Sequence, residues 1–152
     1  MIKLLCVGKV RDSHLATLID EYAKRIGRYH RIEVIEVKDE AISADEKAVM
    51  NKEAERLLSR IDREDYVILI DLHGKPIDSP ALARKIDALF NTHSRLCFVI
   101  GGSLGFGEAV IKRADERIRL SDLTFLHQMT RLILLEQIYR SFKILNHETY
   151  HK

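Results

Sequence analysis

Apolar positions along this chain follow two alternating rhythms. Short continuous runs occur at Leu4 to Val7, Tyr66 to Ile70 and Leu96 to Ile100. Runs of this length, closed by turn residues, read as strands buried on both faces of a sheet. Ile32, Val34, Ile35 and Val37 make a further strand, and Ile118 to Leu120 a brief last one. Between them the spacing changes to three and four. Leu15, Leu18, Ile19, Tyr22 and Ile26 form one helical stripe, with Ser13 as its cap and Gly27 as its end. Met50, Ala54, Leu57, Leu58 and Ile61 form a second, opened by Ser43 and Glu46 as a capping box. Leu82, Ile86, Leu89 and Phe90 form a third, opened by Ser79 and Pro80. A short helix is expected over Glu108 to Arg117. Strands alternating with helices predict an α/β fold, a three-layer, mostly parallel sheet in a single domain over residues 1–152.

The last helix, expected from about Thr130 to Leu145, breaks the pattern. Leu132, Leu135, Tyr139 and Phe142 make one stripe, and Leu134, Ile138 and Leu145 a second. Glu136, Arg140 and Lys143 occupy one narrow polar line. A helix apolar on two sides is buried twice over. So small a chain offers little interior for that, so the pattern argues for a homodimer.

Composition narrows the class. No apolar run approaches the roughly 20 residues a membrane span needs. The N-terminus enters a strand directly, without a signal-peptide layout, so no membrane partner and a cytoplasmic location are expected. Cys6 and Cys97 lie in expected buried strands and read as reduced core thiols rather than metal ligands. No metal is expected. The net charge of +2 does not by itself announce nucleic acid. Lys9, Arg11, Lys24, Arg25, Arg28 and Arg31 nevertheless give the N-terminal part a basic bias.

The candidate chemistry lies between Cys97 and Gln128. Four of the seven glycines fall from Gly101 to Gly107, directly after an apolar strand. Ligands in open α/β sheets sit outside the carboxyl ends of strands. The loop alone is weak evidence, since a tight structural turn would look the same. A Rossmann fingerprint belongs after the first strand, where only Gly8 stands, so a nucleotide-dependent oxidoreductase is disfavoured. No P-loop occurs either. Three strand ends together are more telling: Ile70 to Lys75, Gly101 to Gly107, and Leu120 to Gln128 would ring one pocket. Leu120, Leu123 and Phe125 could sandwich a flat base there. Ser121, Asp122 and Thr124 could instead cap the final helix.

Phe98-Val99-Ile100-Gly101-Gly102-Ser103-x-Gly105, then Leu120-Ser121-x-x-Thr124-Phe125-x-His127-Gln128-x-x-Arg131, then Glu136-Gln137-x-Tyr139-Arg140-x-Phe142-Lys143-Ile144, and the ending Tyr150-His151-Lys152, together resemble the RlmH (YbeA) family of SPOUT-class RNA methyltransferases. Val7-Gly8-Lys9 and Glu21-Tyr22-x-Lys24-Arg25 extend the resemblance over essentially the whole chain. Leu126 departs from it, because family members commonly carry proline there. The resemblance implies a C-terminal trefoil knot and S-adenosyl-L-methionine bound in it in a bent shape. It implies a homodimer with the pocket near the interface. It also implies methylation of N3 of pseudouridine 1915 (standard bacterial numbering) in 23S rRNA of the assembled ribosome. By position, Ile70, Gly101, Gly102, Gly105, Leu120, Ser121, Asp122, Leu123, Thr124 and Phe125 would hold the cofactor. Tyr150 and His151 in the polar tail, and His127 beside the cofactor loop, are the candidate catalytic residues. Against these stand plainer readings: a solvated tail, and a histidine bracing a helix start. Arg131 could hold phosphate or a partner subunit. Arg140 could do the same or pair with Glu136, and His73 is expected simply to be exposed. The alternative function is a non-catalytic, ribosome-associated RNA-binding factor with a vestigial pocket.

Overall fold

The computed structural model describes all residues, Met1–Lys152. Five parallel strands form one sheet in the order β2-β1-β4-β3-β5. They are β1 (Ile2–Val7), β2 (Ile32–Val37), β3 (Tyr66–Pro76), β4 (Leu96–Ile100) and β5 (Glu116–Arg119). The continuous apolar runs take the centre, where both faces are covered: every residue of β1 and β4 is buried. Side chains alternate across the sheet. Leu4, Cys6, Ile68 and Phe98 enter the larger core beneath helices α1 (Ser13–Ile26), α3 (Ser79–Phe90) and α5 (His127–Leu145). Leu5, Val7, Leu69 and Val99 enter the smaller core beneath α2 (Glu46–Leu58) and α4 (Glu108–Arg113). Cys6 and Cys97 are free, buried thiols that burial pushes up to about 12, so neither is reactive near neutral pH.

Several boundaries differ from those the sequence suggests, for local reasons. Aspartates rather than serines cap the helices. Asp12 accepts the N–H groups of His14 and Leu15, Asp45 that of Ala48, and Asp78 that of Ala81. Ser43 donates to the Asp45 carbonyl, so the Ser43–Glu46 capping box does not form. The short helix stops at Arg113, because Asp115 leaves it to pair with the backbone of Val67. β5 accordingly begins two residues earlier than Ile118. The largest difference is in β3, which continues through the expected loop to Pro76. Ile70 and Lys75 both face Ile118 of β5, so residues 71–74 bulge outward between them. Gly74 makes the return possible. A Cβ there would stand 2.6 Å from the Ile118 carbonyl carbon.

The two-sided helix is also resolved differently. α5 packs between α1 and α3 on one face of the sheet. Leu134, Leu135, Ile138 and Phe142 are buried within the chain itself, and Leu132, Tyr139 and Leu145 pack partly on the same core. The double stripe is therefore met by two helices of the same molecule. Helical periodicity alone no longer requires a second copy. To reach this place the chain leaves β5 at the sheet edge and crosses the strand ends to the end of β1. That path is compatible with the knotted C-terminal part that the family resemblance implies.

Candidate functional site at the carboxyl edge of the sheet

β4 ends at Ile100, and the chain turns at once through Gly101–Gly107. Gly105 has φ +87, the left-handed region that glycine adopts without penalty, and its N–H donates to the Gly102 carbonyl at 3.1 Å. A Cβ on Gly101 would meet the Phe106 ring at 3.1 Å, and one on Gly107 would meet Ala54 and the Met50 carbonyl at 2.9 Å. The turn thus lies flat between α2 behind it and open space in front. The open space is a cavity of about 730 Å³, in the range of small-molecule sites.

Three segments wall it, as the strand ends suggested. Ile70 and Asp71–His73 come from the β3 bulge, Gly101–Phe106 from the glycine turn, and Leu120 to His127 from the segment before α5. Of the proposed cofactor residues, Ile70, Gly101, Gly102, Gly105, Leu120, Ser121, Leu123, Thr124 and Phe125 line the cavity. Asp122 does not: it turns away and pairs with Arg119 at 3.1 Å. None of Ser121, Asp122 and Thr124 caps α5. The Ser121 hydroxyl accepts the Leu123 N–H at 3.0 Å, and α5 begins after Leu126 with no side-chain cap. Asp71, Phe106, Arg117 and Arg119 also line the cavity and escape a reading by motif. The β3 bulge brings Asp71 there, the glycine turn Phe106, and β5 Arg117 and Arg119. His73 is exposed, as expected, yet stands on the cavity wall.

His127 opens α5 on the cavity wall and is half-buried, with its Nε2 3.9 Å from where a Cβ on Gly8 would stand. Burial, with Arg131 beside it, holds the ring below the ordinary histidine value, against the opposing pull of Asp39. The imidazole is therefore neutral near pH 7 and can accept a proton. One turn on, Arg131 is 1% exposed. It donates to the Val7 and Gly8 carbonyls and to Glu36, each at 2.8 Å. It is thus an internal clamp and not the phosphate or partner contact that its motif position suggested. Arg140 takes the structural option, pairing with Glu136 one turn away.

The tail is not solvated at random. The Tyr150 hydroxyl donates to Glu136 at 3.0 Å and its ring packs edge-on against Tyr139. Burial and the neighbouring Tyr22 and Glu136 push its ionisation upward, so here it is a donor. His151 lies beside Arg140 at 3.3 Å. Glu136 is nine residues beyond His127, about 14 Å along the helix. Neither Tyr150 nor His151 lines the cavity of its own chain.

Behind the turn sits a residue the sequence did not flag. Glu53 of α2 is 5% exposed. Its Oε1 accepts the Glu40 N–H at 3.1 Å, while its Oε2 has no partner. A Cβ on Gly102 would lie 2.7 Å from that oxygen. No three His, Cys, Asp or Glu side chains are grouped so as to hold a metal ion, and no helix is long and apolar enough to cross a membrane.

The comparisons agree with this architecture. The family model described as "Predicted SPOUT methyltransferase" matches residues 1–151. The chain is 45% identical to a protein of Acetivibrio thermocellus named ribosomal RNA large subunit methyltransferase H, over 99% of both chains. It is 46% identical to the protein of the same name from Alkaliphilus oremlandii, again over 99% of both. A solved structure, that of a probable methylase family protein from Haemophilus influenzae, superposes with a TM-score of 0.55. The match covers 96% of this chain and 66% of that one at 12% identity, a likeness of fold alone.

Proposed function

The chain belongs to the SPOUT methyltransferase family, and from that premise we propose that it methylates large-subunit ribosomal RNA. The donor is S-adenosyl-L-methionine, and the target is N3 of a pseudouridine in 23S rRNA of the assembled ribosome. The observation that carries this reading is the convergence of three strand ends on one cavity, walled by a glycine turn on one side and apolar side chains on the other. Those walls fit a nucleoside. The peptide groups of Gly101, Gly102 and Gly105 can meet polar edges. Leu120, Leu123 and Phe125 can cover flat faces, and Ser121 and Thr124 offer hydroxyls. A cytoplasmic location goes with such a substrate.

S-adenosyl-L-methionine supplies a methyl group that is already electrophilic, because its sulfur departs as a neutral thioether. The chain's own residues therefore have two tasks. One is to hold the target nitrogen in line, which can lower a barrier by about 7–11 kcal/mol in the best cases. The other is to help an imide nitrogen lose its proton. His127 is neutral and on the cavity wall, which suits a proton acceptor. Arg117 and Arg119 bring guanidinium groups to the cavity wall, each already paired, with Asp71 at 3.2 Å and Asp122 at 3.1 Å, and their remaining N–H groups can stabilise a developing anion. Tyr150 and His151 lie too far along α5 to reach their own cavity. Their role in catalysis therefore goes with a homodimer in which each tail serves the other chain's site. Exposed Leu72, Leu123 and Leu126 on the cavity wall, with exposed Met129 in the first turn of α5, are apolar surface that a second copy could cover.

The test is methyl transfer to ribosomes and to naked 23S rRNA from cells lacking the modification, read by mass spectrometry of digested nucleosides. A methylated pseudouridine from assembled ribosomes is expected. Cofactor binding without transfer to either substrate would point to another RNA. Neither binding nor transfer would favour the non-catalytic RNA-binding factor.

A further inference from the structure

The RNA must bring its target base to the carboxyl edge of the sheet, with the flanking phosphates lying on the rim. The rim beyond His127 is built by the ends of β1 and β2. These strands pair in register up to Val7 and Val37, and the Gly8 N–H donates to the Val37 carbonyl at 2.8 Å. Lys9 and Lys38 therefore leave neighbouring strand ends, Lys38 directly after Val37 and Lys9 after the Gly8 turn. Arg11 follows on the same loop.

This loop is held firmly while its cationic side chains are not. Gly8 turns the chain with φ +85. The buried Arg131 holds the carbonyls of Val7 and Gly8, Glu36 accepts the Val10 N–H at 2.8 Å, and Gln128 donates to the Lys9 carbonyl at 3.4 Å. The same first turn of α5 that puts His127 on the cavity thus also sets the Lys9–Arg11 backbone. Lys9, Arg11 and Lys38 are exposed, and none forms an ion pair. Three of the four nearby carboxylates are otherwise engaged. Asp12 caps α1, Glu36 binds Arg131, and Glu40 pairs with Arg56 at 2.6 Å. Asp39 is exposed, unpaired and close to Gly8 and His127, and is the one free carboxylate beside the edge. Elsewhere in the basic N-terminal part, Arg25 and Arg31 are neutralised by Glu21 and Glu33.

We propose that Lys9, Arg11 and Lys38 form a phosphate-contacting edge that seats the RNA backbone beside the cavity. This inference rests on the reading of the cavity as a site of RNA methylation. Phosphate contacts position a nucleic acid without reading its sequence. A preset backbone bearing three unpaired cations suits that task.

The experiment compares the unaltered chain with K9A/R11A/K38A and with K24A/R28A, which removes two equally unpaired cations, one in the last turn of α1 and one just beyond it. Equilibrium binding to ribosomes is measured over a salt series, alongside methyl transfer and cofactor affinity. Each lost phosphate contact lowers the slope of log affinity against log salt by about 0.7–0.9. The edge variant should therefore lose about 2 from the slope, with its KM for ribosomes raised about tenfold or more. Its cofactor affinity and kcat should stay unchanged, and K24A/R28A should change little. An unchanged slope in the edge variant, or the loss appearing in K24A/R28A instead, overturns the proposal. So does an absence of ribosome binding by the unaltered chain. If the unaltered chain binds ribosomes with the expected slope difference but transfers no methyl group, the function reading fails and the edge stands.

Discussion

Arg131 and Glu53 are both buried charged side chains close to the cavity, and each leaves one polar atom without a partner, the Arg131 Nε and the Glu53 Oε2. Arg131 spends its terminal nitrogens on two carbonyls and a carboxylate, so its burial holds β1 to α5. Glu53 has one oxygen satisfied and one without a partner, directly behind Gly102. Burial raises its ionisation above the ordinary carboxylate value, and Asp39 and Glu40 add to this while the Glu40 N–H and Arg56 oppose it. A carboxyl with a raised folded-state value stabilises the fold fully below its unfolded value. That contribution is lost as pH rises through the folded value. Glu53→Gln keeps the shape and removes the charge. It should therefore raise Tm at about pH 8, with the gain shrinking as pH falls towards about 4.5. Thermal melts of both proteins across that range test this. A Tm difference that does not vary with pH would mean that the carboxylate is not the cause.

The bulge in β3 is the element on which the site depends. It lets one strand pair with β5 twice while Asp71–His73 swing out to form a cavity wall. The return passes at Gly74, whose missing side chain lets β3 cross the Ile118 backbone. Gly74→Ala places a methyl group against rigid main chain, where no side chain can move aside. A loss of about 1–3 kcal/mol is expected, the usual size for overpacking, measured by urea denaturation. Cofactor affinity should fall with it, because Ile70 and Asp71 move with the bulge. Retained stability with intact binding would show that β5 can shift freely, against the register seen here. The sequence reads this stretch as a loop for an understandable reason. Asp71-Leu72-His73-Gly74-Lys75-Pro76 carries turn residues and no alternation, and only pairing with β5 makes it strand.

At the scale of the molecule, the tail and the cavity pose the main question. α5 is satisfied within the chain by α1 and α3, so its two apolar stripes do not require a partner. The distance between Tyr150 and the cavity does suggest one. If each tail serves the other chain's site, then His127→Ala and a chain with both Tyr150 and His151 replaced by alanine should each be inactive alone. Mixed and re-associated, they should recover activity, since half-and-half dimers contain one site with neither lesion. About a quarter of the unaltered rate is expected from random pairing of equal amounts. Sedimentation of the unaltered chain should give about twice its 17.6 kDa mass. A monomeric mass, or no recovery on mixing, would return the tail to a structural role.

The sequence by itself determined the alternation of strands and helices, the continuous apolar runs that become the sheet's centre, and the glycine turn as the place of the site. These are local matters of period, apolar length and backbone freedom, and the motifs from Phe98 to Lys152, with those near the N-terminus, carried the family resemblance. Tertiary structure decided the rest. Arg131 became a clamp because α5 crosses the end of β1. Glu53 came to stand behind Gly102, some fifty residues away, because α2 packs across that turn. The tail was drawn to Glu136 and Tyr139, away from its own cavity. Each of these depends on which distant segments meet. Residues that carry charge or hydrogen-bonding groups take their roles from their neighbours in space, which local pattern does not specify.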